Sequence, residues 1–189
     1  HEHLFYFSLK TISFLLEKYG LFIFDIMPSP ISGGSWVIYF SRNKKNKSRK
    51  LKEAEASEEK LGINDLETWL QFSRNVKDHA IQIRNLLPDG KKIMAYGASA
   101  RSSTLLNYCG INTDNITAII DKNPLKHNLL SPGVEIPIIS YEEGIEVLKS
   151  EEDLFLLAWN FEKEIIRDLK NDGFNGKFIV PLPNEPRKV

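Results

Sequence analysis

The sequence has few features that would cross-link it, charge it or place it in a membrane. Cys109 is the one cysteine among 189 residues, which excludes an internal disulfide and a zinc site built from several cysteines. The 25 basic and 25 acidic residues give no net charge, so no overall field attracts nucleic acid or an anionic lipid surface. No apolar run reaches the roughly 18 residues of a membrane span. We therefore expect a soluble, cytoplasmic protein without nucleic-acid or membrane partners.

The chain also lacks an initiating methionine and a signal peptide, so we expect His1 not to be the natural start. Its length is that of about one domain, or of one domain and part of another. An apolar content of 42% is ordinary for a chain that buries a core. The composition therefore predicts a globular protein.

Residues 1–42 form the first of three regions. Phe5, Leu9, Ile12 and Leu16 follow a helical period. Two strand-like runs come next, LFIFDIM and SWVIYFS, with prolines in the stretch that connects them. This order predicts a helix followed by a pair of antiparallel strands.

Residues 43–60 are strongly charged. The basic run RNKKNKSRK could bind a phosphate backbone. It contains no aromatic residue, however, and it turns acidic at Glu53 and Glu55. We interpret this region as a linker, a solvated loop that runs into a charged helix.

Residues 61–189 alternate between helical and strand-like patterns. The strands are KKIMAY, ITAIID, IPIIS, LFLLAW and KFIVPLP. Strands separated by helices indicate a parallel sheet with helices on both faces, and we predict a Rossmann-like α/β domain with strand order 3-2-1-4-5. The stretch DKNPLKHNLLSPGVE predicts an irregular connection in place of the helix between the second and third strands. Ser140 and Asn160 are expected to cap the helices that follow them.

The turn after the first strand, GASARSS, decides whether this domain holds a nucleotide. In dinucleotide-binding folds this turn carries three glycines, and an acid at the end of the second strand holds a ribose. Gly97 is the one glycine here, and Asp121 ends the second strand 24 residues later. A turn that binds one phosphate or a nucleoside diphosphate through Arg101 fits better than a dinucleotide site. A tight connection without a ligand stays open.

The predicted topology collects further candidates at the carboxyl ends of the strands. In the predicted order the strand sequence reverses between the first and fourth strands. Open α/β sheets bind their ligands at this place, the topological switch point. The first turn contributes Gly97, Ala98, Ser99 and Arg101, and the fourth strand leads into Asn160 and Phe161. Asp121, Lys122 and Asn123 lie at the neighbouring edge, from which they could reach a ribose or a base.

The chain opens with His1, Glu2 and His3. Such a group suits either a divalent metal or acid–base chemistry, and the third alternative is a polar end of the chain without a function of its own. A metal would need further ligands, and the remaining histidines and Cys109 do not cluster in the sequence. We therefore expect no metal site here.

Six motifs in register resemble the sugar C-methyltransferases: HEHLFYFSL, GGSWVIYF, YGASARSSTLLNYCGI, DKNPLKHNLLSPGVEIPI, LLAWNFEKEI and KFIVPLP. Members use S-adenosylmethionine to methylate a carbon of a keto-deoxysugar carried on a nucleoside diphosphate. The resemblance implies that residues 1–42 are the tail of the methyl-donor domain and residues 61–189 a Rossmann-like substrate-binding domain. It also implies that the methyl donor and a zinc ion are bound by upstream domains of the same parent protein.

The resemblance assigns roles as well. It implies that His3 is the general base, that Glu2 lies in the same site, and that Gly34 and Ser35 contact the sugar nucleotide. The sequence departs from the family at Trp36, where members carry arginine, and at Arg101-Ser102, where they carry lysine-glycine. The alternative to a part of a methyltransferase is a stand-alone module that binds a nucleotide or sugar nucleotide and catalyses no reaction.

Overall fold

The computed structural model describes residues 5–30 and 34–189, and the chain divides into two compact units, His1–Arg74 and Asn75–Val189. The first unit contains α1 (Leu9–Glu17), β1 (Phe22–Ser29), β2 (Ser35–Ser41), α2 (Arg49–Lys60) and the first half of α3 (Leu66–Leu86). The predicted helix and antiparallel strand pair are both present. His1, Glu2 and His3 lie outside the described residues.

The first unit has its own small core. Leu9 of α1 and Ile23 and Ile26 of β1 pack together with Leu51 of α2, and all four are buried. Ser8 caps α1 through a reciprocal pair of hydrogen bonds with Thr11. The first helix therefore covers one face of the hairpin.

The charged region from residue 43 to residue 60 is largely a helix. Ser48 caps α2 by accepting a hydrogen bond from the Leu51 N–H, and the Leu51 side chain is fully buried against the first unit's other elements. Leu51 packs this helix into the core of the first unit, which extends to Arg74. The predicted domain limits remain a prediction.

The second unit is built on one sheet. It contains the rest of α3, then β3 (Ile93–Tyr96), α4 (Ala100–Cys109), β4 (Ile116–Ile120), β5 (Ile138–Ile139), α5 (Tyr141–Leu148), β6 (Asp153–Leu156), α6 (Glu162–Asn171), β7 (Lys177–Val180) and β8 (Arg187–Lys188). The strand order is β5-β4-β3-β6-β7-β8. The first five strands in this order are parallel and reproduce the predicted 3-2-1-4-5 arrangement. β8 adds an antiparallel edge that the sequence pattern did not reveal.

Helices cover both faces of this sheet. Ile83 of α3 and Leu106 of α4 belong to one core together with Ala95, while Leu148 of α5 and Ile165 of α6 belong to another. The next residue of β3, Tyr96, is in the second core, because successive side chains of a strand point to opposite faces. The chain is thus wound on both faces of the sheet, as predicted.

The connections agree with the sequence patterns except at one position. β4 is followed by a single 3-10 turn, Pro124–Lys126, where no helix was expected. Ser140 caps α5 through a capping box with Glu143, as expected. The predicted cap at Asn160 is wrong: α6 begins after a 3-10 turn, Trp159–Phe161, and no side chain caps it.

Candidate functional site at the carboxyl ends of the strands

The switch point of the sheet lies between β3 and β6. These neighbouring strands are parallel, but α4 follows β3 on one face of the sheet and α6 follows β6 on the other. The connections that follow β3 and β6 therefore leave in opposite directions. No crossover covers the carboxyl ends of these two strands. Ligands of open α/β sheets bind in this crevice.

Gly97 brings the two strand ends into direct contact. Its φ of +100° lies in the region that favours glycine, and a Cβ at this position would lie 2.5 Å from the Ala158 Cβ. The Gly97 N–H also donates to the Ile120 carbonyl, at 2.8 Å. The floor of the crevice is therefore closed by backbone, and any ligand must lie farther out, against the residues that follow Gly97 and Ala158.

The turn after Gly97 is tightened by two serines. Ser99 caps α4, and its side chain and that of Ser102 each accept the other residue's N–H. The Ser102 hydroxyl also donates to the Gly97 carbonyl at 2.7 Å, and Ser102 is buried. The Ser102 side chain does not obstruct the turn, because it points inward and stabilises the turn.

Arg101 is exposed at the second position of α4. Within residues 5–30 and 34–189 its side chain makes no hydrogen bond or ion pair. The guanidinium is therefore available as a cation beside the crevice, where the positive end of a helix also favours an anion.

The Asp121 carboxylate accepts hydrogen bonds from three residues at this edge of the sheet. The residue is only 9% exposed. Its Oδ2 accepts the Ala98 N–H at 2.8 Å and the Lys126 ammonium at 3.0 Å, and its Oδ1 accepts the Asn123 N–H at 2.9 Å. A carboxylate has about four acceptor positions, so most of this one's capacity is used within the protein.

Two neighbours that sequence reasoning missed complete this network. The Lys126 ammonium also donates to the Ala98 carbonyl at 2.7 Å, and the His127 Nε2 lies 2.8 Å from the Asp121 carbonyl oxygen. The signal in the sequence was weak: a lysine and a histidine five and six residues after the acid that ends a strand. They fold the irregular loop back over the turn after β3.

Lys122 and Asn123 also have partners within the chain. The Lys122 ammonium lies 3.6 Å from the Asp168 carboxylate and 5.0 Å from the centre of the Tyr141 ring. The Asn123 side chain accepts the Leu125 N–H and so caps the 3-10 turn. Both residues thus have structural roles at the sheet edge.

Two tyrosines line the face of the sheet that α5 and α6 cover. The Tyr96 and Tyr141 rings meet edge to face, 6.3 Å apart. Burial, together with the negative charge of Asp121, raises the pKa of Tyr96 to about 12. Burial and the hydrogen bond that its hydroxyl donates to Asp172 raise the pKa of Tyr141 above its usual value. Both phenols are therefore neutral at physiological pH.

Asn160 and Phe161 lie beyond β6, on the other side of the switch point. Both are exposed in the 3-10 turn that precedes α6, and Phe161 is 62% exposed. The next residue, Glu162, accepts two hydrogen bonds of 2.7 Å from the Arg187 guanidinium of β8. This pair holds the start of α6 in place and leaves the Asn160 amide available to a ligand.

Gly34 and Ser35 lie in the first unit. Gly34 has a φ of +120°, and Ser35 begins β2 opposite Ser29; both Gly34 and Ser35 are exposed. The next residue, Trp36, is 47% exposed. These positions flank the stretch of residues 31–33, which lies outside the described residues.

The side chains of residues 5–30 and 34–189 bring together no group of three or more histidine, cysteine, aspartate or glutamate residues suited to a metal. Among the same residues no helix is both long and apolar enough to cross a membrane.

The doubly wound sheet with its open switch point defines the second unit as a Rossmann-like α/β domain. The profile of a family described as the C-methyltransferase C-terminal domain matches residues 30–183. The C-methyltransferase NovU of Streptomyces niveus is 35% identical to this chain, over the whole of the chain and 46% of its own length. The chain belongs to the C-methyltransferase family, where it matches a C-terminal portion.

Proposed function

We propose that this chain is the C-terminal part of an S-adenosylmethionine-dependent C-methyltransferase that acts on a nucleoside-diphosphate keto-deoxysugar. The family match and the similarity to a C-methyltransferase support this role. S-adenosylmethionine supplies the methyl group. In this proposal it is bound, like the zinc ion implied by the resemblance, by polypeptide beyond these 189 residues.

The observation that carries the proposal is the pair of uncommitted polar side chains at the switch point. Arg101 follows β3 and Asn160 follows β6, and both are exposed. The guanidinium can bind a diphosphate through two parallel hydrogen bonds, and the amide can donate to and accept from sugar hydroxyls. Phe161 offers an exposed ring against which a base or sugar can pack.

The remaining candidates at this edge support the ligand indirectly. Asp121 holds the Ala98 N–H and thereby sets the turn, while Gly97 and Ser99 shape that turn from within. Lys122 and Asn123 are committed to Asp168 and to the 3-10 turn. We therefore assign direct ligand contact to Arg101 and its partners beyond β6, and a positioning role to the others.

A titration with a nucleoside-diphosphate sugar tests this assignment. Amide resonances of Gly97–Arg101 and Asn160 should shift in an NMR spectrum. Arg101→Ala should weaken binding about 10- to 150-fold, because a charge-assisted hydrogen bond contributes about 1.5–3 kcal/mol. Lys170→Ala, at an exposed position of α6, is the matched control and should bind like the parent. Shifts confined to other residues, or equal losses in both variants, would place the ligand elsewhere.

The proposed chemistry belongs to the first residues of the chain. His3 would remove the proton from the sugar carbon beside the ketone, since an imidazole with a pKa near 6.5 can accept a proton at neutral pH. Glu2 would orient that imidazole, and Gly34 and Ser35 would contact the sugar nucleotide. The resulting enolate would then attack the methyl carbon; a carbon–carbon bond would form as the methyl–sulfur bond breaks, and the neutral thioether S-adenosylhomocysteine would leave.

The test of this step uses the full-length enzyme. His3→Asn should retain substrate binding but lose both turnover and the exchange of the acceptor-carbon hydrogen with solvent, by about 10²–10⁴-fold. Exchange at the parental rate in His3→Asn would assign the base to another residue, with Glu2→Gln as the next variant to measure.

A further inference from the structure

The connection between α6 and β7 contains Asn175–Gly176, the one asparagine–glycine pair among the 189 residues. Both residues lie in a stretch without regular secondary structure. In such a pair the glycine nitrogen can attack the preceding side-chain amide with little steric hindrance, because glycine has no Cβ to obstruct the approach. Whether this happens in the folded protein depends on how accessible the amide is and on whether the nitrogen is held in a hydrogen bond.

The Gly176 nitrogen has no structural hydrogen bond to give up. Within residues 5–30 and 34–189 its N–H donates to no acceptor. The next N–H, that of Lys177, donates to the Glu152 carbonyl at 2.8 Å, where β7 begins to pair with β6. A backbone nitrogen outside the ladder can lose its proton and turn towards a side chain without opening the sheet.

The Asn175 side chain is accessible as well. The residue is exposed, and its Nδ2 donates a hydrogen bond of 3.2 Å to the Gly173 carbonyl. A long, exposed hydrogen bond of this kind is readily exchanged for one to water. The side-chain carbonyl carbon and the nitrogen that would attack it are therefore both free to approach each other.

The fold itself requires glycine at position 176. A Cβ added there would lie 2.5 Å from the Glu152 carbonyl oxygen and 2.6 Å from the Cζ of Phe174. A larger residue, which would slow the attack, is therefore excluded by the packing of this stretch against the start of β6. The contact that fixes the glycine also retains the reactive pair.

Asn171, the last residue of α6, lacks this combination although it is exposed too. The N–H that follows it, that of Asp172, donates to the Asp168 carbonyl at 3.0 Å. Asp172 also carries a side chain where the reactive pair has none. Asn171 is therefore a comparison within the same protein.

We propose that Asn175 is a site of spontaneous deamidation and isomerisation in the folded protein. The Gly176 nitrogen loses its proton and attacks the side-chain carbonyl carbon of Asn175. A carbon–nitrogen bond forms, the bond to the side-chain nitrogen breaks, and the leaving group takes up a proton and departs as ammonia. Water then opens the cyclic imide at either carbonyl, which gives aspartate or isoaspartate at position 175. No sugar nucleotide takes part, so the proposal is independent of the ligand site.

Isoaspartate weakens the start of β7. It places an additional methylene carbon in the main chain just before the Lys177 N–H, which donates to the Glu152 carbonyl. It also displaces Phe178, whose side chain is fully buried. Because β7 lies between β6 and β8 in the sheet, the modified second unit loses stability.

Peptide mapping of the folded protein after incubation in mildly alkaline buffer tests the proposal. The Asn175 peptide should gain the mass difference between an acid and an amide, and part of it should contain isoaspartate. Its rate should rise with pH, because the attacking nitrogen must first lose its proton. The rate should also lie within about tenfold of that in urea, since little local opening is needed. The Asn171 peptide should stay unmodified, and so should Asn175→Gln, whose longer side chain would have to close a larger ring.

Three other results overturn the proposal. An Asn175 peptide that keeps its mass in the folded protein shows that the pair does not react. A gain in mass that appears only in urea shows that the fold protects it. Equal gains at Asn171 and Asn175 show that the glycine and its free N–H do not determine the reactivity.

Thermal melting separates the effect of isoaspartate from that of the added charge. Fresh Asn175→Asp has the charge of the product on a normal main chain and should melt close to the fresh parent. The incubated parent should contain a fraction that melts several degrees lower. Asn175→Gln incubated in the same way should show no such fraction. A fully modified parent that melts like the fresh protein would contradict the proposed weakening of β7.

Discussion

Gly97 and Ala158 are packed so closely that a Cβ added to the glycine would lie 2.5 Å from the Ala158 Cβ. This contact joins the carboxyl ends of β3 and β6 and sets the floor of the crevice at the switch point. The candidate ligand contacts, Arg101 and Asn160, stand on either side of it. The geometry of the site therefore depends on a residue that offers no side chain of its own.

Gly97→Ala should be among the most destabilising single substitutions in the second unit. It combines a φ of +100° with a steric overlap that cannot be relieved without moving a strand end, and we expect a loss of about 3 kcal/mol in the free energy of unfolding. Gly90→Ala is the matched control, since Gly90 has a φ of +67° but open space around it, and it should cost about 1 kcal/mol. Urea denaturation measures both, and similar losses would show that the close packing contributes little.

The carboxylate of Asp121 should stabilise the second unit more than an ordinary ion pair does. Asp121→Asn weakens the bond to Lys126 and disturbs two backbone hydrogen bonds, and we expect it to cost about 2–3 kcal/mol. Asp153→Asn is the control, because its pair with Lys188 at 2.8 Å is similarly exposed. Within residues 5–30 and 34–189, no backbone N–H donates to the Asp153 carboxylate. Asp153→Asn should lower the free energy of unfolding by less than about 1 kcal/mol.

A double-mutant cycle separates the two contributions at Asp121. If the backbone N–H groups provide most of the stabilisation, Lys126→Met should lower the free energy of unfolding less than Asp121→Asn does. The coupling energy between the two substitutions should then be smaller than either loss. Equal losses at Asp121 and Asp153 would show that the turn after β3 does not depend on this carboxylate.

Tyr96 should make the second unit less stable at high pH. Its pKa is about 12 in the folded protein and 10 in the unfolded chain. Because the folded state holds the proton more tightly, the stabilisation is complete below pH 10 and is lost as the pH rises to about 12. The loss should approach about 3 kcal/mol, since each of the two pH units between these values corresponds to about 1.4 kcal/mol.

The measurement compares the parent with Tyr96→Phe. The difference in unfolding free energy between the two proteins should be constant up to about pH 9.5 and should then shift in favour of the phenylalanine variant. A difference that stays constant up to pH 12 would show that the phenol ionises in the folded protein as it does in the unfolded chain.

Cys109 should be unreactive in the folded protein. Burial raises the pKa of its thiol, and only 1% of the residue is exposed. A thiol reagent should therefore modify it at the rate of unfolding, with the reaction accelerating as urea is added. Rapid modification of the native protein in the absence of urea would show that α4 opens locally.

Local patterns in the sequence determined the order and type of most elements. The runs KKIMAY and LFLLAW became β3 and β6, and the absence of a helical pattern after Asp121 correctly left out a helix between β4 and β5. Ser140 also capped its helix as expected, because a capping box involves residues only three positions apart. Parallel strands linked by helices then leave few possible strand orders.

Contacts between distant residues were decided only by the tertiary structure. Asn160 lost its capping role because β6 runs into a 3-10 turn before α6 begins, and Leu51 joined the first core although its surroundings in the sequence are charged. The bonds of Asp121 to the Ala98 N–H and to Lys126 depend on how β3 and the loop after β4 meet in space. Sequence patterns report which face of an element is apolar. They cannot report which polar groups, brought together by folding, satisfy one another and which remain for a ligand.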